Sequence, residues 1–114
     1  MNTSNRNDRN DKNDRPINRE VIDYLNSLKS NVKEINLSKY NLTELPDLSK
    51  FKEVKHLFCS YNQLTSLPPL NDNLLYLYCQ NNQLTSLPPL NNKLIYLNCS
   101  NNKLTSLPPL NNVI

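Results

Sequence analysis

Apolar positions along the second half of this chain return every 20 residues. VKHLFCSYNQLTSLPPLNDN begins at Val54, LLYLYCQNNQLTSLPPLNNK at Leu74 and LIYLNCSNNKLTSLPPLNNV at Leu94. A looser, 22-residue copy, VKEINLSKYNLTELPDLSKFKE, begins at Val32. Leu74, Leu77, Cys79, Leu84, Leu87 and Leu90 recur as Leu94, Leu97, Cys99, Leu104, Leu107 and Leu110. A unit this small cannot enclose a core and must bury its apolar edge against the next, so the period predicts a solenoid of stacked coils. Around Leu77 and Cys79 the apolar spacing is two, which predicts a short strand with alternate side chains inward. Leu87, Pro88, Pro89 and Leu90 predict an extended polyproline II segment, because consecutive prolines fix φ and remove the donors that a helix or sheet would use.

Upstream of the repeats the spacing changes. Ile17, Val21, Leu25, Leu28 and Val32 fall at intervals of three and four, the period of one helical face, and Pro16 suits a first helical turn. Residues 1–15 hold no apolar side chain after Met1, so nothing offsets the entropy of ordering them. The expected organisation is a disordered polar tail over 1–15, a capping helix over 16–31 and repeats over 32–114. The repeats divide as 32–53, 54–73, 74–93 and 94–113.

Composition narrows the functional classes. The formal charge is only +3, and Lys93 and Lys103 are the basic residues beyond Lys55. This is not the basic footprint of a nucleic-acid binder. No apolar run approaches the roughly 20 residues that cross a bilayer, so no membrane contact is expected. The N-terminus lacks the apolar stretch of a signal peptide, which makes a cytoplasmic chain the expectation. Alanine and glycine are absent whereas asparagine occurs 22 times. Surface physics does not demand that bias, and an AT-rich genome explains it. Seven of the eight prolines lie in the repeats despite their GC-rich codons, which marks them as required by the repeated turn.

Each reactive residue type has a structural explanation. Cys59, Cys79 and Cys99 are one repeat apart, so they occupy one inward position in successive coils and form a buried ladder of small, unreactive thiols. Metal sites show closer pairs, so no metal is expected. His56 lies three residues before Cys59, and an odd separation in a strand points the two side chains to opposite faces. Without glycine there is no phosphate-cradling loop. No enzyme activity and no cofactor are expected. Asn62, Asn82 and Asn102 form a second ladder just after the strand, where an amide offers donors and an acceptor to backbone groups left unpaired by the turn. If Leu57 and Cys59 point inward, His56 and Phe58 point outward. Tyr76, Tyr78, Tyr96 and Asn98 follow in the same register, with Tyr61 near the rim. Four aromatics and a histidine then gather on one open face, the residue types enriched at binding hot spots. Stiffening of the sheet by stacked aromatics is the alternative reading.

The template L-x-x-L-x-(L/C)-x-x-N-x-L, read over residues 32–113, resembles the leucine-rich repeat signature. The 20-residue length and the L-P-x-L ending are similar to the short class found in bacterial effectors and in proteins of giant amoebal DNA viruses. The AT-rich bias favours the viral source, which would place the chain in a host cytoplasm. The resemblance implies an α/β-type solenoid with short parallel strands on a concave face and an extended convex side. It also implies an architectural role for the asparagine ladder and a protein partner, of unknown identity, on the concave face. Two departures stand out. Tyr40 replaces the ladder asparagine in the first repeat, with Asn41 one place later. The sequence given stops at Ile114, the first position of a fifth coil, so the alternative expectation is a truncated or self-associating fragment joined through an uncapped C-terminal coil.

Overall fold

Residues 19–110 are described in a computed structural model of the chain; the polar tail expected over 1–15 lies outside them. The first element, α1 (Arg19–Ser27), places Glu20 in its first turn, where the helix dipole favours a negative charge. It buries Val21 and Leu25, four residues apart on one face. Pro16 and Ile17 lie outside the described residues. At the other end the helix closes at Ser27, short of residue 31. The Ser27 hydroxyl donates to the Tyr24 carbonyl at 2.6 Å, and Leu28 N–H reaches back only three residues to Leu25 O at 3.2 Å. A further turn, Val32 N–H to Lys29 O at 3.3 Å, leads into the first coil.

Four three-residue strands follow: β1 (Glu34–Asn36), β2 (His56–Phe58), β3 (Tyr76–Tyr78) and β4 (Tyr96–Asn98). They form one parallel sheet in chain order. Ile35 pairs with Leu57, Leu57 with Leu77, and Leu77 with Leu97. Equivalent residues of successive repeats therefore sit side by side, about 4.8 Å apart. Ile35, Leu57 and Leu77 are buried and their strand neighbours are not, which is the alternation that the spacing of two predicts. Segments 67–70 and 87–90 carry neither helix nor strand, as their paired prolines require. The architecture is a leucine-rich-repeat-type solenoid: short parallel strands on one side, extended segments on the other, and a helix over the first coil.

One apolar core runs through the stack, from Val21 and Leu25 of α1 to Leu94 at the start of the fourth coil. The helix does more than cover it, because the Tyr24 hydroxyl accepts a hydrogen bond from Asn36 N–H at 3.1 Å on the outer edge of β1. The two extra residues of the first coil fall between Leu48 and Val54. There the buried Phe51 fills the interior and places its carbonyl where the later coils place those of Asn71 and Asn91. In the fourth coil Leu97, Cys99 and Leu104 are only partly buried, and Leu107 and Leu110 are 51% and 45% exposed.

Candidate partner-binding face

The sheet turns two outward rows of side chains to solvent. One is Glu34, His56, Tyr76 and Tyr96; the other is Asn36, Phe58, Tyr78 and Asn98. Strand register stacks the rings. His56 lies 4.3 Å from Tyr76 with 7° between planes, and Phe58 lies 4.5 Å from Tyr78 with 8° between planes. Tyr96 tilts by 39° against Tyr78 at 5.1 Å, which joins the rows into one patch. Pairs of this kind contribute about 0.5–1.5 kcal/mol beyond the area they bury. Stacking takes up one face of each paired ring, and the patch offers solvent its ring edges, phenol hydroxyls and imidazole. His56 is outward on β2 whereas Cys59 is fully buried, so the two do not form a nucleophile pair.

Tyr61 sits at the downstream rim, 53% exposed, with the Lys39 ammonium 5.6 Å above its ring. Its φ of 56° is left-handed, as are those of Lys39, Asn81 and Asn101 at the equivalent positions. Each coil makes the same sharp turn there. Asn41 adds a second left-handed residue in the first coil, beside Tyr40, which stands where the other coils have the ladder asparagine.

The asparagine ladder links coils rather than serving each coil alone. Asn62 Nδ2 donates to Leu37 O of the previous coil at 2.9 Å and to Cys59 O of its own at 3.1 Å. Its Oδ1 accepts from Tyr40 N–H and Leu42 N–H, both at 3.0 Å. Asn82 repeats the pattern with Cys59 O, Cys79 O and Leu64 N–H. Asn102 does so with Cys79 O, Cys99 O and Leu84 N–H. The turn of coil one, which has Tyr40 in place of asparagine, is therefore satisfied by the asparagine of coil two. A second ladder, Asn71 and Asn91, is not among the residues singled out from the sequence. Asn71 Nδ2 donates to Val54 O at 3.2 Å in its own coil and to Phe51 O at 3.5 Å one coil back, and Asn91 Nδ2 likewise to Leu74 O at 3.1 Å and Asn71 O at 3.2 Å. Their Oδ1 atoms accept from Asn73 N–H and Lys93 N–H. The recurrence of asparagine directly after Leu70 and Leu90 is the sequence signal for it.

Behind the sheet, Cys59 and Cys79 are buried and Cys99 is half-buried. Burial, reinforced by the neighbouring thiol, pushes the Cys79 pKa up to about 12 and that of Cys59 higher still. The Cys99 thiol is also raised by burial. Such thiols stay protonated and are poor nucleophiles. Among the described residues no group of three or more His, Cys, Asp or Glu side chains could hold a metal ion, and no helix is long and apolar enough to cross a membrane. A cleft of about 590 Å³ opens between the first two coils, away from the sheet face. Pro46, Leu48, Pro68 and Leu70 line its walls, and the core side chains Ile35 and Leu57 form its floor.

The family model described as leucine rich repeats (2 copies) matches residues 52–92 and again 72–112. The chain belongs to the leucine-rich repeat family. Among solved structures, the leucine-rich repeat domain of a Shigella effector is 38% identical with a TM-score of 0.69, over 73% of this chain and 38% of that one. YopM from Yersinia enterocolitica WA-314 is 34% identical with a TM-score of 0.66, over 81% of this chain and 19% of that one. The chain thus spans well under half the length of either. No curated protein sequence matches it.

Proposed function

We propose that this leucine-rich repeat chain is a recognition module that binds a protein partner on its concave sheet face. His56, Phe58, Tyr61, Tyr76, Tyr78, Tyr96 and Asn98 supply the contacts. The observation that carries the reading is the aromatic patch itself. The rings are ordered by stacking before any partner arrives, so little conformational entropy remains to be lost on binding. Tyrosine and asparagine hold five of the eight outward strand positions, a composition suited to adaptable protein contacts. The likeness to a bacterial effector repeat domain supports a chain that acts in a host cytoplasm, and the AT-rich composition is what favours a giant virus as its source.

Recovery of partners by the parent and by a Tyr76→Ser, Tyr78→Ser double variant tests this. Stacked rings removed from a binding centre cost about 2 kcal/mol or more, roughly thirty-fold in affinity. Equal recovery by the two proteins rejects the face. A second reading, self-association through the fourth coil, is supported by the half-exposed Leu107 and Leu110. Light scattering over a concentration series tests it: the expected outcome is a mass that rises with concentration, and a constant monomer mass ends it.

A further inference from the structure

We infer that the segment recognised by the concave face is acidic at one end and apolar at the other. The inference rests on the concave face being the binding surface and goes beyond it to the chemistry of what binds.

Two further rows flank the outward columns. Upstream of the strands, backbone hydrogen bonds align Lys33, Lys55, Leu75 and Ile95 as equivalent residues of successive coils: Lys55 N–H to Lys33 O at 2.7 Å, Leu75 N–H to Lys55 O at 2.9 Å and Ile95 N–H to Leu75 O at 2.9 Å. Downstream, Lys39 N–H to Ser60 O, Tyr61 N–H to Gln80 O and Asn81 N–H to Ser100 O align Lys39, Tyr61, Asn81 and Asn101. The surface is therefore graded along the stack. Coils one and two carry Lys33, Lys39 and Lys55 around His56. Coils three and four carry no charge in these rows and instead set Leu75 and Ile95, the latter 38% exposed, beside Tyr76 and Tyr96.

Carboxylates cancel the basic end only in part, although Glu53 lies near Lys55 as well as Lys33. Glu53 pairs with Lys33 from outside the face, and Glu34 is the single acidic side chain in the outward rows. Lys39 and Lys55 remain, on opposite rims of the same end, and β2 to β4 present no acid outward. The rings add to the preference. Stacking covers one π-face of each paired ring, and the tyrosine hydroxyls add hydrogen-bond donors to the surface. A basic segment would be repelled by the ammonium groups and would find Glu34 as the single carboxylate of the outward rows. An acidic one finds donors and ammonium groups, with an aliphatic or aromatic side chain of the same segment lying against Leu75, Tyr76 and Ile95.

Selection from a displayed library of random linear peptides tests this, with the parent protein as bait. Selected peptides are then titrated against Tyr76→Ser, Tyr78→Ser, against Lys39→Glu, Lys55→Glu, and against Lys93→Glu, Lys103→Glu, which makes the same charge change away from these rows. The expected peptides are net acidic with an apolar residue to one side. Reversing Lys39 and Lys55 should weaken them about ten-fold or more at low salt, and reversing Lys93 and Lys103 by less than about three-fold. The gap should narrow as salt rises. Tyrosine-dependent peptides that are neutral or basic, or that tolerate Lys39→Glu, Lys55→Glu, overturn the inference and leave the face standing. Peptides indifferent to the tyrosine changes overturn both. Failure to enrich any linear peptide also overturns the inference.

Discussion

Tyr61 shows how a single residue can be set against its own backbone. Left-handed φ costs a residue with a Cβ roughly 1–2 kcal/mol, and asparagine tolerates it best after glycine. The third and fourth coils obey that rule with Asn81 and Asn101; the second breaks it with Tyr61 at 56° and the first with Lys39 at 66°. Tyr61→Asn should therefore stabilise the chain by about 0.5–1 kcal/mol, read from the urea midpoint, while weakening partner capture if the exposed ring is a contact. A midpoint that falls would show that the ring contributes more to the fold, through Lys39, than its backbone loses. The turn itself was legible in the sequence through the ladder asparagines Asn62, Asn82 and Asn102, one place later. The left-handed tyrosine and lysine were not, because neither side chain signals that geometry.

The coil is the element at which apolar spacing becomes stability. Leu77 is fully buried between coils on both sides, whereas Leu97, its counterpart one repeat later, is only partly buried. Leu77→Ala should cost about 2–5 kcal/mol and Leu97→Ala about half as much, measured by chemical denaturation of the two variants side by side. Equal losses would mean that burial is not set by position in the stack. Strand positions, inward leucines and the cysteine ladder could all be read from the period. The cross-coil direction of the asparagine bonds could not, because a repeat viewed singly does not show that Asn82 reaches Cys59 O one coil back at 3.0 Å. Nor did the 22-residue length of the first coil show where its surplus lies. Only packing put Phe51 inside, with its carbonyl standing in for that of an asparagine rung.

For the whole molecule, the thiol ladder couples stability to pH. Burial raises the Cys59 and Cys79 pKa values above the ordinary 9.0, so above that pH the unfolded chain loses protons that the folded chain keeps. Stability is then undiminished below about pH 9 and falls as pH rises, by up to about 1.4 kcal/mol per pH unit for each buried thiol, until the folded thiols themselves ionise. Urea midpoints should drop between about pH 9 and 11 in the parent, and the drop should shrink in a Cys59→Ala, Cys79→Ala variant; an equal drop in both would place its cause elsewhere. What the sequence determined by itself was the period, and with it the solenoid, the inward leucines and thiols, and the outward tyrosines, because a fixed repeat length leaves each side chain one place in the stack. What the tertiary structure decided was everything that depends on neighbours between coils: which carbonyls the asparagines hold, which rings stack, and how Lys39 and Lys55 come to flank one end of a face whose other end is apolar. Those pairings join residues some 20 positions apart whose chemistry acquires meaning only when the coils lie side by side.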